Sequence, residues 1–114
     1  MPTHYLIPTP YELFGWEIGG GWHPLVHELI AELQTLGWDG HISQIKEKYG
    51  GLRFYIGYGS DAIFAAIDKA EAKSYTICEA CGQSGKLRRG GWMRTLCDDH
   101  ALEAGYTDEE LNEI

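Results

Sequence analysis

The chain has 114 residues, 44% of them hydrophobic, and a formal net charge of −8 at pH 7. That length suits one domain with a small core, no run of 18 apolar residues predicts a membrane span, and the negative charge repels nucleic acid from the molecule as a whole. Three cysteines cannot all pair in disulfides, and the N-terminus lacks the basic and apolar pattern of a secretory leader, so a reducing cytoplasm is the expected setting.

The charge is uneven. All nine Lys and Arg residues lie between Lys46 and Arg94, with acidic stretches on both sides. Residues 1–22 are rich in proline, glycine and aromatics. Each tryptophan directly follows a glycine, at Trp16, Trp22, Trp38 and Trp92, with no regular spacing. Two readings stand: rings buried where a permissive backbone lets them pack, or an exposed aromatic binding surface.

The stretch "HPLVHELIAELQTLGW" from His23 predicts a helix. Pro24 suits its first turn, Leu25, Val26, Leu29, Ile30, Leu33 and Leu36 make a broad apolar stripe, and Gly37 is a good terminator. His23 and His27 stand four apart, half of a metal site on one helix face, but the pattern is not H-E-x-x-H.

The stretch "HISQIKEKYGGLRFYIGYG" predicts a hairpin turning at Gly50-Gly51. Alternation puts Ile42, Gln44, Lys46 and Lys48 on one side of the first arm. On the second arm Leu52, Phe54 and Ile56 face one way, Arg53 and Tyr55 the other. Lys46, Lys48, Arg53, Tyr55 and Tyr58 make a basic, aromatic face of the kind that binds single strands, or a solvated sheet face. The next segment, "SDAIFAAIDKAEAKSY", predicts a helix capped by Ser60 or Asp61, with Ile63, Phe64, Ala66, Ile67 and Ala70 as its buried stripe. At the end, Thr107 and Glu110 form a capping box that predicts a short acidic helix.

The cysteines carry the sharpest signal. Cys78-x-x-Cys81 is followed, after fifteen intervening residues, by Cys97-x-x-His100. Two such pairs close a tetrahedron around zinc, which prefers thiolate and imidazole. Cys97 opens an expected helix, and the piece between the pairs reads as a short hairpin turning at Gly90-Gly91. Knuckle, hairpin, then helix is the order of a treble-clef zinc finger, which residues 76–106 resemble. A thioredoxin-like dithiol leaves Cys97 and His100 unexplained. A catalytic zinc needs an open position that four protein ligands deny it. Zinc deaminases need a Glu two residues past the His, where Leu102 stands, and the HNH nucleases need a His within the hairpin, where this chain has none. Zn²⁺ is therefore expected as a structural ion. Lys86, Arg88, Arg89, Trp92 and Arg94 decorate the hairpin, either as a surface for phosphate and bases or in local balance with Asp98, Asp99 and Glu103.

The pieces "QIKEKYGGLRFYIGYG", "AEAKS" and "CEACGQSG…GWMRTLCDDHA" resemble a group of small, mostly uncharacterised proteins of phages, prophages and their bacterial hosts. The resemblance covers roughly residues 37–101. It implies a phage-related zinc protein in the bacterial cytoplasm and brings no reaction with it.

The expected fold is α+β: a small antiparallel sheet packed with helices, plus a C-terminal treble-clef-like zinc module. The chain is expected as a single domain over 1–114, with a helix–hairpin–helix core at 1–75, the zinc module at 76–106 and an acidic tail helix at 107–114. No nucleophile–base pair can be named, so no enzyme is expected. An interaction module acting on a host protein is favoured, inhibition of a host nuclease or defence complex being one form. A nucleic-acid-binding zinc finger using Lys46, Lys48, Arg53 and the hairpin residues is the alternative.

Overall fold

The computed structural model describes residues 16–90 and 92–106. The architecture is α+β. In chain order it runs through strand β1 (Trp16–Glu17), a 3₁₀ turn (Gly20–Trp22), helix α1 (His23–Thr35), strands β2 (Ile42–Lys48) and β3 (Gly51–Ile56), helix α2 (Asp61–Ser74), strands β4 (Lys86–Arg88) and β5 (Arg94–Leu96), and helix α3 (Asp98–Glu103). The expected tail helix with Thr107 and Glu110 lies outside the described residues, as does most of the aromatic lead-in.

Helix α1 has Pro24 in its first turn and buries Leu25, Val26, Leu29, Ile30 and Leu33. It stops earlier than the apolar stripe suggests. Gly37 takes φ +87°, its N–H reaches Gln34 O at 3.2 Å, and the Trp38 N–H reaches Leu33 O at 3.1 Å. This paired reversal ends the helix at Thr35, leaves Leu36 exposed and folds Trp38 back onto the core.

Strand β2 is central, with β1 parallel on one side and β3 antiparallel on the other. Simple alternation fails at its start. The register shifts between Ile42 and Gln44, so Ile42 and Ile45 both face the core although they are three residues apart. From there Ile45 sits opposite Phe54, and Lys46 opposite Arg53. Leu52, Phe54 and Ile56 share the core side as the alternation predicts. The turn lies one residue earlier than expected. Lys48 pairs with Gly51, and the central residues are Tyr49 at φ +53° and Gly50 at φ +85°. Two positive φ values are the signature of a type I′ turn, whose twist matches that of the strands.

Ser60 caps α2, its Oγ accepting the Ile63 N–H at 3.3 Å. Ile63, Ala66, Ile67, Ala70 and Ser74 are buried at spacings of three and four. Phe64 stands about 100° round the helix from Ile63 and is exposed, so it leaves the predicted stripe. The helix also runs along β3. Ser74 Oγ accepts the Leu52 N–H and Glu71 Oε2 the Phe54 N–H, both at 2.9 Å, so two donors on the outer side of β3 are satisfied.

One apolar cluster joins α1, the sheet and α2, with Trp22, Val26, Ile30, Leu33 and Leu52 fully enclosed. A smaller one, around Cys78, Leu96 and Ala101, belongs to the C-terminal module. Three long-range hydrogen bonds fasten the two together. Trp22 Nε1–H donates to Ile77 O at 2.9 Å, Gly21 N–H to Glu79 O at 2.9 Å, and Thr95 Oγ1–H to Gly50 O at 2.7 Å. Backbone meets backbone here: a Cβ on Gly21 would lie 2.1 Å from Cys78 O.

Candidate metal centre

The Cys78–Cys81 knuckle is closed by its own backbone. Gly82 N–H donates to Cys78 O at 2.9 Å and Cys78 N–H to Gln83 O at 2.7 Å, with Gly82 at φ +85°. A bond from Glu79 N–H to Thr95 O at 2.9 Å ties the knuckle to β5. Strands β4 and β5 pair antiparallel, Leu87 opposite Thr95. The chain then enters α3 with Cys97 as N-cap, its Sγ 3.5 Å from the His100 backbone N–H. Three residues on, in the first turn, His100 points its Nδ1 the same way.

Cys78, Cys81, Cys97 and His100 thus come together, their ligand atoms all within 4.8 Å of one another. Cys81 Sγ is 3.9 Å from Cys97 Sγ, and His100 Nδ1 is 3.7 Å from Cys78 Sγ and 3.2 Å from Cys97 Sγ. A tetrahedral ion with bonds of about 2.3 Å to sulfur and about 2.0 Å to nitrogen implies edges of about 3.8 Å (S–S) and about 3.5 Å (S–N). The donor set and its spacing therefore fit a metal ion such as zinc. Among the described residues this is the one group of three or more His, Cys, Asp or Glu side chains that could share an ion. His23 and His27 belong to no such group; burial first and the His27 charge second lower the pKa of His23.

The thiols are unequal. Burial pushes Cys78 up, but the backbone N–H groups of Cys97, Cys81 and Ala80 and the Cys81 thiol outweigh it, holding Cys78 at about 6. For Cys81 the Gln83 N–H favours the thiolate, yet desolvation and the neighbouring Cys78 and Cys97 prevail and raise it. Negative charge gathered on sulfurs this close is self-repelling. A bound divalent ion would supply the balancing positive charge.

The basic residues of the hairpin divide. Arg88 is 1% exposed and turned inward. Its Nε and Nη2 donate to Leu96 O at 3.1 and 2.8 Å, and Nη2 reaches Asp98 Oδ1 at 2.9 Å. This corrects its assignment to a phosphate-binding surface: the guanidinium clamps β4, β5 and the start of α3. Arg94 pairs with Glu79, Nε to Oε2 at 3.2 Å. Burial raises the Glu79 carboxyl against the lowering effect of Arg94. Lys86, Arg89 and Trp92 are exposed. On the sheet, Lys46 faces Arg53, Lys48 Nζ lies 5.6 Å from the Tyr49 ring centroid, and Arg53 donates to Tyr75 Oη at 3.3 Å. Tyr55 and Tyr58 are exposed. Of the Gly-Trp pairs, Trp22 and Trp38 are buried, as the packing reading expects, and Trp92 is 70% exposed.

The docking of Gly21 and Trp22 on the knuckle escaped the sequence reading, because the partners lie 55 residues and more apart. The glycine run at Gly19–Gly21 was its one local trace. No described helix is long and apolar enough to cross a membrane. No family model matches the chain, and neither a curated protein nor a solved structure matches it significantly.

Proposed function

We propose that the chain is a zinc-stapled interaction module of the phage and prophage kind, acting on a protein of the bacterial host. The observation that carries this is the closed Cys₃His cluster, whose knuckle is fastened to the main core through Trp22 and Gly21. Four protein ligands leave no coordination position for a substrate, and the ion's work is to hold the C-terminal third in place. A core this small gains much from such a staple. The surface is then left for recognition. Its net charge of −8 suits a basic partner face, and covering the DNA-binding surface of a nuclease or defence complex is one form of that activity. Metal analysis of the purified protein tests the staple, with one zinc per chain expected. Affinity capture with the metal-loaded protein tests the interaction: a stoichiometric host protein is expected, and recovery of none counts against it.

A second reading rests on the direct opposition of Lys46 and Arg53 across β2 and β3. Like charges so placed repel across a sheet; Glu17 beside Lys46 on β1 and Glu71 near Arg53 offset part of that repulsion, and an anionic ligand would offset more. On this reading the face of Lys46, Lys48 and Arg53 binds single-stranded nucleic acid, with Lys86 and Arg89 of the finger assisting. Binding that falls steeply with added salt would support it; no binding to oligonucleotides at low salt would end it.

A further inference from the structure

Two adjoining hollows open between the β2–β3 turn, the link from β4 to β5 and the end of α3. The larger, about 490 Å³, has Glu47, Glu79, Trp92, Arg94 and Tyr106 among its walls. The smaller, about 400 Å³, is walled by Glu47, Tyr49, Trp92 and Met93. Glu47 and Trp92 line both, so the two make one groove.

Two aromatic residues stand in it at a cost to the fold. Tyr49 occupies the first central position of the type I′ turn at φ +53°, a place for Asn or Gly, where a bulky side chain is strained. Its ring is 65% exposed, so packing recovers little of that cost. Trp92 is 70% exposed, and its loop is anchored by the Tyr106 hydroxyl, which donates to the Trp92 carbonyl. Strain and exposed rings gathered at one groove mark a recognition site rather than a packing need.

The charges select the ligand. Glu47 Oε2 accepts the Gly50 N–H at 2.7 Å, which fixes the carboxylate under the turn, and no described cation forms a salt bridge with it. Arg94 is already engaged by Glu79, whose Oε1 is buried without a partner. Lys48 lies over the Tyr49 ring, so the open aromatic face is that of Trp92. A phosphate entering here meets two carboxylates and a guanidinium that is already paired. A planar guanidinium finds a ring to stack on and a preset carboxylate to bind.

We propose that this groove takes an arginine side chain of a protein partner, the guanidinium stacked on Trp92 and hydrogen-bonded to Glu47. The proposal rests on the interaction-module function and names the chemistry of its recognition.

The test is a titration of the ¹⁵N-labelled, metal-loaded protein with a blocked Gly/Ser peptide bearing one central arginine, and with the same peptide bearing neutral citrulline. Shifts at the Trp92 indole and Gly50 amide are expected with arginine, and binding about tenfold weaker with citrulline. Equal response to both peptides, response to neither, or shifts confined to other surfaces overturns the site. So does an oligonucleotide that shifts the same signals more strongly than the arginine peptide. Trp92→Ala and Glu47→Gln are expected to keep the metal and the wild-type melting point while losing the response. Tyr49→Asn is expected to melt higher, since Asn suits the positive φ of that turn position. A host protein captured equally by wild type and Trp92→Ala overturns the groove and leaves the interaction function standing.

Discussion

The indole N–H of Trp22 donates to the carbonyl of Ile77, the residue before the first cysteine of the cluster. Trp22 is fully buried in the main core. One hydrogen bond thus joins the start of α1 to the knuckle that presents Cys78 and Cys81. Beside it, Gly21 lets the two backbones touch.

Trp22→Phe removes the donor together with the five-membered ring, and the small cavity left in the buried core adds to the cost. The Ile77 carbonyl then loses a partner, a loss of about 1–3 kcal/mol. Urea melts of the metal-loaded variant are expected to show that loss, together with faster release of metal to a chelator. Gly21→Ala is expected to be worse, because its Cβ cannot fit against the Cys78 carbonyl. A Gly21→Ala protein that melts and holds metal like wild type would contradict the close packing.

Cys97→Ser removes both a ligand and the sulfur that caps α3. Metal content is expected to fall from one ion per chain to near none. Amides from Cys78 to Ala101 are expected to lose their protection from hydrogen exchange. Treating the wild type with a strong chelator should reproduce the effect, and adding zinc back should reverse it. Retention of a full metal complement by the serine variant speaks against the assigned ligand set.

Arg88→Met keeps the length of the side chain and removes its donors to Leu96 O and Asp98. Asp98 is largely exposed, so the ion pair itself contributes little. The buried bonds to Leu96 are the larger loss, and about 1–3 kcal/mol of destabilisation is expected in a denaturant melt. If the second functional reading holds, nucleic-acid affinity is expected to stay unchanged in the folded variant.

Glu71 gives a pH signature away from the metal cluster. Burial raises its pKa, against the lowering effects of the Phe54 N–H and Arg53. A carboxyl whose folded pKa lies above its unfolded value of 4.5 binds protons more tightly in the folded state. Its ionisation therefore opposes folding: stability falls as pH rises from 4.5 through the folded pKa, then levels off. Glu71→Gln keeps an acceptor for Phe54 and carries no charge. The variant is expected to gain on wild type at pH 7 and to lose that advantage near pH 4.5, in paired thermal melts.

What the sequence disclosed follows from how local each signal is. The Cys-x-x-Cys and Cys-x-x-His pairs are short-range, so spacing alone brought the four ligands together on paper. The helix stop at Gly37, the helix start at Ser60 and the alternation of Leu52, Phe54 and Ile56 are equally local. Arg88 was misread because three residues of strand carry no usable period, and an arginine is expected outside unless something inside accepts its donors. Here the Leu96 carbonyl does. Ile42 was misplaced because a register shift changes the parity of every residue before it. The Gly50-Gly51 pair suggested a turn, but the ladder runs to Lys48 and Gly51, which pushes the tight residues back to Tyr49 and Gly50. The groove between the two hairpins joins residues from Glu47 to Tyr106, and nothing local foretells it.

The side chains of Ser74 and Glu71 along β3 have a last consequence. Strands with free donors recruit further strands, from partners in β-augmentation or from sister molecules in fibres. On β3 the Leu52 and Phe54 donors are already taken by α2. A partner therefore gains no backbone ladder there, and two copies cannot zip together along that margin. Whatever this protein recognises through its β3 side must be met by side chains, one contact at a time.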